Sequence, residues 1–321
     1  MKNNPEDKML FVIEKWSDGN PKFGATLSFW TLLNTFSKCC PHYQWNVIHM
    51  DESYLVFGKH VDSILPDYCK KYGIKVICFS MLGQSHMNPS LECIQTLKNM
   101  GIKLIFTWPD SNPQDLSFID KLGDLSDLNV YQDAPASPFH TNRGYKKNDI
   151  VLWTPIDSRL FFPHFQNKQI DVLFIGRRYP LRDAWINEVK KVHPQLFVTG
   201  GQREVGLTQE QYAAHIQLSK MVINFAQHPF GYDQVKGRAL ETIASGSLLL
   251  ESSNEATRRM FEPDVDYVSF ENVKDLCDKI SFYLANEEKR LEICKHAYET
   301  HSTKYSAIVY WKKVMERIEN D

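Results

Sequence analysis

Short apolar runs rich in Ile, Val, Leu and Phe recur along this chain, each followed by a polar turn and a stretch of helical period. MLFVIEKW (residues 9–16), WNVIHMDE, IKVICFS and IKLIFTW occupy the first half; DVLFIG, QLFVTGG, MVINFA and SLLLES occupy the second. A strand that is apolar throughout must be covered on both faces. Helices placed between consecutive strands do that covering and run the strands parallel. The pattern predicts an α/β protein built on parallel sheets. Amphipathic segments such as TLSFWTLLNTFSKCC, residues 61–72, PSLECIQTLKNMG, RDAWINEVKKV and residues 209–219 supply the helices.

The alternation breaks once. Residues 124–149 are polar and turn-rich, with one short strand, LNVYQ, inside them. DIVLWTPIDSRLFFPHFQNKQ then reads as a connection, stiffened by Pro155 and Pro163 and preceded by Pro138. We therefore divide the 321 residues into an N-terminal Rossmann-like domain (1–150), a C-terminal Rossmann-like domain (151–300) and a final helix (301–321) long enough to pack back on the first domain. No short repeat or low-complexity tract is visible.

Composition narrows the function. Lys and Arg number 37 against 39 Asp and Glu, a net charge of −2, so no basic footprint for nucleic acid is present. No run reaches the length of a membrane span, and MKNNPEDKML lacks the apolar core of a signal peptide. These features point to a cytoplasmic protein with no integral membrane segment. The 7 cysteines are odd in number and contain no C-x-x-C, which indicates reduced thiols and no zinc site. Gly19 and Gly24 do not form G-x-G-x-x-G, so a dinucleotide site is not indicated.

Open parallel sheets bind ligands beyond the carboxyl ends of their strands. In the first domain that rule singles out Gly24, Asp51 and Asp110 of TWPDSN, with a turn or helix-cap role as the alternative for Asp110. In the second it singles out Gly176 with Arg177 and Arg178. Arginine forks hold phosphate, and a glycine lets backbone approach it. The alternative is a surface loop whose arginines pair with Asp183 or Glu188. The stretch FGYDQVKGRALETIASGSLLL carries Asp233 and Glu241, eight positions apart. On one helix that spacing turns both carboxylates to roughly one side. Lys236 and Arg238 lie between them, and the helix start favours an anion. His228 and Tyr232 are near enough in sequence to line a base or sugar pocket. A charged, solvated helix mouth is the alternative reading.

On DVLFIGRRYPLRD, SKMVINFA, VKGRALETIASGSLLLES and TRRMFEPDVDYVSFENVKDLCDKISFYLANEEKRLEICKHA, the chain resembles GT-B fold glycosyltransferases. It is most similar to the retaining group called family 1 or family 4 and to the spore-maturation-protein-like glycosyltransferases. The resemblance spans residues 171–297; the first half matches in architecture alone. It implies two Rossmann-like domains facing across a cleft that closes over a nucleotide-sugar donor and a glycan or other hydroxyl acceptor. It implies donor transfer with retention, without a metal or other cofactor. In the family's Glu-x7-Glu motif the second acid holds the ribose, here Glu241, and the first contacts the donor sugar, here the shorter Asp233. Arg177, Arg178, Lys236 and Arg238 are then diphosphate contacts. The family's N-terminal His has no match at TWPD, where Asp110 stands instead. The resemblance also leaves a non-catalytic sugar-nucleotide-binding protein and a nucleotide-sugar epimerase as alternatives.

Overall fold

The computed structural model describes residues 8–109, 116–132, 144, 146–200, 206–227 and 231–320. The chain forms two compact units, Met1–Pro155 with Ala307–Asp321, and Ile156–Ser306. Both are parallel α/β units.

In the first unit the strands are β1 (Lys8–Ile13), β2 (Gln44–His49), β3 (Ile74–Ser80), β4 (Lys103–Trp108), β5 (Leu128–Tyr131) and β6 (Asp149–Val151). They lie in the order β2-β1-β3-β4-β5-β6, all paired parallel. One face buries Leu10, Val12, Ile77, Phe79, Leu104, Phe106 and Tyr131, and Phe79 stacks on Phe106 at 5.0 Å. Two sequence expectations shift here. β1 stops at Ile13, before Glu14, Lys15 and Trp16, because the backbone N–H groups of Lys15 and Trp16 turn to the Asp51 carboxylate (2.8 and 3.0 Å) and leave the ladder. β6 comes out of the segment read as a connection: Asp149–Val151 completes the sheet beside β5, too short a run to carry a pattern of its own.

The expected helix TLSFWTLLNTFSKCC opens as a π-helix, Phe29–Asn34, and becomes α-helical over Thr35–Cys39. Its buried face meets the final helix, Ala307–Asn320. Trp311 is 1% exposed, donates its indole N–H to Thr35 Oγ1 at 2.7 Å, and packs edge-on against Phe36 and Phe11 at 4.9 and 6.2 Å. Removing a buried indole leaves a cavity and takes one donor from Thr35 Oγ1, which keeps its own bonds to the Thr31 and Leu32 carbonyls. Trp311→Ala should therefore cost about 3–5 kcal/mol of unfolding free energy. A urea titration with an unchanged midpoint would show that the final helix is not part of this core.

The second unit contains β7 (Ile170–Ile175), β8 (Phe197–Thr199), β9 (Ser219–Asn224), β10 (Leu248–Ser252) and β11 (Val268–Phe270). Their order is β11-β10-β9-β7-β8, again all parallel. Numbered within the unit this is the doubly wound order 2-1-3-4-5, the order that β1–β5 adopt in the first unit. The direction of winding reverses between β7 and β9. At such a point the loops leaving the two strands part in opposite directions and open a crevice at the carboxyl edge. The loop after β7 begins at Gly176; the one after β9 leads to the helix Gly237–Ala244. Among the described residues no helix is long and apolar enough to cross a membrane.

Candidate functional site

The crevice of the second unit is organised by one cation. β7 is followed by Gly176, whose φ is +135°, and a Cβ built there would lie 1.9 Å from Arg238 Nη2. The Arg238 guanidinium thus occupies the space that the glycine leaves empty. It donates through Nη1 to Asn224 Oδ1 at 2.9 Å and lies over the Phe174 ring at 5.5 Å. Asn224, the last residue of β9, donates in turn to Glu251 Oε2 at 2.6 Å. Asn224 and Glu251 are register partners across β9 and β10, and both are 0% exposed. Burial pushes the Glu251 carboxyl up to about 7, against the pull of the Asn224 hydrogen bond, Arg238 and Arg182.

Glu241 is acted on by the same cation. It is buried in the Gly237–Ala244 helix, and Tyr212 donates its hydroxyl to Glu241 Oε2 at 2.6 Å. Burial lifts its carboxyl to about 7 as well, opposed by the Tyr212 hydrogen bond and by Arg238. Oε1 accepts no hydrogen bond from a described residue. It lies 3.7 Å from where a Cβ on Gly237 would be, so the helix start at that glycine leaves room against a carboxylate oxygen. Tyr212 belongs to the helix Gln209–Gln217, whose start is fixed by a reciprocal cap between Thr208 and Gln211.

The remaining sequence candidates separate. Arg177 and Arg178 are both exposed. Arg178 pairs with Asp183 and donates to Asn187 Oδ1 at 2.9 Å, the surface pairing foreseen as its alternative, whereas Arg177 has no partner among the described residues. The third arginine of that stretch, Arg182, lies in the following helix, Pro180–Val192, is 8% exposed and donates to the Phe225 and Gln227 carbonyls at 3.1 and 2.8 Å. Lys236 stands in extended backbone as the N-cap of the Gly237–Ala244 helix and donates to Gln234.

Asp233 is not on that helix, which corrects the spacing argument. The chain turns at Gly231 (φ +83°) and doubles back. Asp233 then forms an antiparallel bridge with Gln227, and the Gln234 N–H goes to the Ala226 carbonyl at 3.1 Å. With those groups committed, the helix cannot begin before Gly237. Asp233 is half-buried, and burial raises its carboxyl against Lys236. Tyr232 is buried; His228 lies outside the described residues.

In the first unit, Gly24 has φ +74° with open space where a Cβ would be. Asp110 lies outside the described residues. Asp51, 0% exposed, accepts from the backbone of Lys15, Trp16 and Glu52, so its oxygens hold the loop after β1. A carboxylate that the sequence reading passed over is adjacent. Glu14 accepts from the Thr26 hydroxyl, and burial first, then Asp51 and Asp18, lift its carboxyl to about 7 despite the Thr26 bond. The reading also passed over Tyr212, Asn224 and Glu251. A polar residue inside MVINFA and another at the end of SLLLES were the available signals. Among the described residues no three His, Cys, Asp or Glu side chains are grouped to hold a metal ion.

Residues 158–316 match the family described as glycosyl transferase-like. No curated protein matches the chain by sequence. Solved structures do match over nearly all of it. HepE from Anabaena, in complex with UDP-glucose, has a TM-score of 0.65 at 11% identity, covering 98% of this chain and 100% of that one. A glycosyltransferase from Rickettsia africae has a TM-score of 0.66 at 10% identity, covering 98% of each chain. Sucrose-phosphate synthase from Thermosynechococcus elongatus has a TM-score of 0.58 at 12% identity, covering 97% of this chain and 98% of that one. Likeness at such identity is likeness of fold, and the fold is GT-B.

Proposed function

We infer that this chain, a glycosyltransferase of the GT-B fold with a glycosyl transferase-like domain over residues 158–316, moves a sugar from a nucleotide-sugar donor to a hydroxyl acceptor. The observation that carries the donor assignment is the Glu241 carboxylate. It lies at the switch point of a doubly wound sheet with Oε2 held by Tyr212. Oε1 lies beside Gly237 with no hydrogen bond from a described residue. A carboxylate so held accepts from the two hydroxyls of a ribose, the role acids take in other nucleotide folds. The HepE structures, which contain UDP, UDP with glucose, or UDP-glucose, favour a uridine donor for this chain.

The other roles combine the contacts of the described side chains with the family resemblance. Arg177, exposed and unpaired among the described residues, takes the diphosphate together with the N–H groups that open the Gly237–Ala244 helix, and Lys236, which donates to Gln234, adds its charge at that helix start. Arg178 is tied to Asp183 and Asn187 and Arg238 to Asn224, so these two shape the field around the diphosphate. Asp233 faces the donor sugar; Gly24 and Asp110 serve the acceptor.

In the reaction the bond between the sugar's anomeric carbon and the phosphate oxygen breaks, and its electron pair stays on the diphosphate. The acceptor oxygen bonds to the same carbon as its hydroxyl proton passes to the departing diphosphate oxygen. The cations stabilise the negative charge that grows on the leaving group. That charge is also the basis for proposing metal independence, and the family resemblance is the basis for proposing retention. The seven free cysteines suit a reducing, cytoplasmic setting.

The test is a panel of UDP-, GDP- and ADP-sugars with and without a metal chelator. One donor should be consumed with release of free nucleotide, and the product's anomeric configuration read by NMR should match the donor's. Inversion would sink retention alone; loss of turnover on chelation would sink metal independence alone. Glu241→Ala should weaken nucleotide binding by roughly ten- to a hundredfold. Unchanged affinity in that variant would overturn the ribose assignment.

A further inference from the structure

Tyr212 lies outside the motifs singled out in the sequence, and its place in the site is decided by geometry. Its hydroxyl donates to Glu241 Oε2 at 2.6 Å, and the Arg238 guanidinium acts on the same phenol. Its ring is fixed independently, edge-on to the buried Phe161 at 6.2 Å. The helix that carries it starts on the Thr208–Gln211 cap. A buried carboxylate has two lone-pair-bearing oxygens to satisfy. Committing one to Tyr212 leaves the other, beside Gly237, as the acceptor for a ligand.

We propose that Tyr212 is a positioning residue for the donor: by holding Oε2 it fixes the Glu241 rotamer and turns Oε1 toward the ribose. This rests on the ribose assignment above. Two groups act electrostatically on Glu241 from the elements around it, Tyr212 on the neighbouring helix and Arg238 on its own, and both oppose the effect of burial. A protonated carboxyl would offer a donor where the diol needs an acceptor. Removing the Tyr212 hydroxyl withdraws one of the two stabilisers of the anion. The carboxyl then moves upward from about 7, and donor affinity becomes dependent on pH above neutrality.

The experiment compares wild type, Tyr212→Phe and Glu241→Gln as full-length chains by calorimetric titration. The probe is the tightest-binding of UDP-, GDP- and ADP-glucose, whose diphosphate diesters keep a constant charge from roughly pH 6 to 9. Tyr212→Phe keeps the ring on Phe161. It should weaken binding roughly tenfold at neutral pH and recover much of that loss toward pH 9. A loss of the same size at every pH marks a merely structural contact and overturns the proposal, as does unchanged binding in Tyr212→Phe when Glu241→Gln binds poorly. Full affinity in Glu241→Gln removes the ribose assignment itself, and with it the role given to Tyr212. If none of the three nucleotide sugars binds the wild type, the donor reading falls first.

Discussion

Gly176→Ala should abolish donor turnover and lower the unfolding free energy by about 2–4 kcal/mol. Two costs combine. The backbone sits at φ +135°, a region that L side chains rarely adopt. The added methyl would also stand 1.9 Å from Arg238 Nη2, so the guanidinium must leave. The far end of an arginine can move cheaply where nothing holds it, but this one is bonded to Asn224, lies over Phe174 and serves both buried carboxylates. Displacing it loosens β7, β9 and the Gly237–Ala244 helix together. The double variant with Arg238→Met separates the two costs. If the clash matters, Gly176→Ala should cost clearly less in that background, since residues in contact are non-additive. An equal cost in both backgrounds would leave backbone strain as the whole effect.

The fold was legible because its signal is repeated. Apolar runs such as IKVICF and DVLFI cannot be half-exposed, and these two became parallel strands buried over most of their length. Where a strand is only as long as Asp149–Val151, register beside a neighbour makes it a strand, and sequence does not carry register. The candidate site was legible only in part. Gly176 was singled out because it follows a strand, and Glu241 because it lies on the helix that opens at Gly237. Asp233 was misplaced because an eight-residue spacing has meaning only along a continuous helix, and the return pairing of Gln227 with Asp233 is a contact between backbone groups that no side-chain pattern reports. Tyr212, Asn224 and Glu251 were missed for a related reason. Each comes from a different element, and only the sheet order brings them around Arg238.

That arrangement fixes the sign of the remaining expectation. Burial lifts Glu241 and Glu251 from an ordinary 4.5 to about 7, so the folded chain keeps protons that the unfolded chain has released. Stability contributed by these groups is fully present below about pH 4.5 and declines as pH rises toward 7. Arg238 lowers both carboxyls and so limits the decline. Arg238→Met retains much of the side chain's bulk and removes the charge, so both carboxyls should titrate above 7 and the decline should continue to higher pH. Near pH 5, where both are protonated, the variant should lose about 1 kcal/mol, mainly the Asn224 hydrogen bond. Near pH 9, where two buried carboxylates lack their cation, it should lose about 3–5 kcal/mol. Adding Glu251→Gln should return part of that loss at pH 9 and almost none at pH 5. Chemical denaturation of the two variants and the wild type across that range measures all of it. A loss for Arg238→Met that is the same at both ends would mean that the guanidinium holds the loops by contact alone and that the buried carboxylates do not depend on its charge.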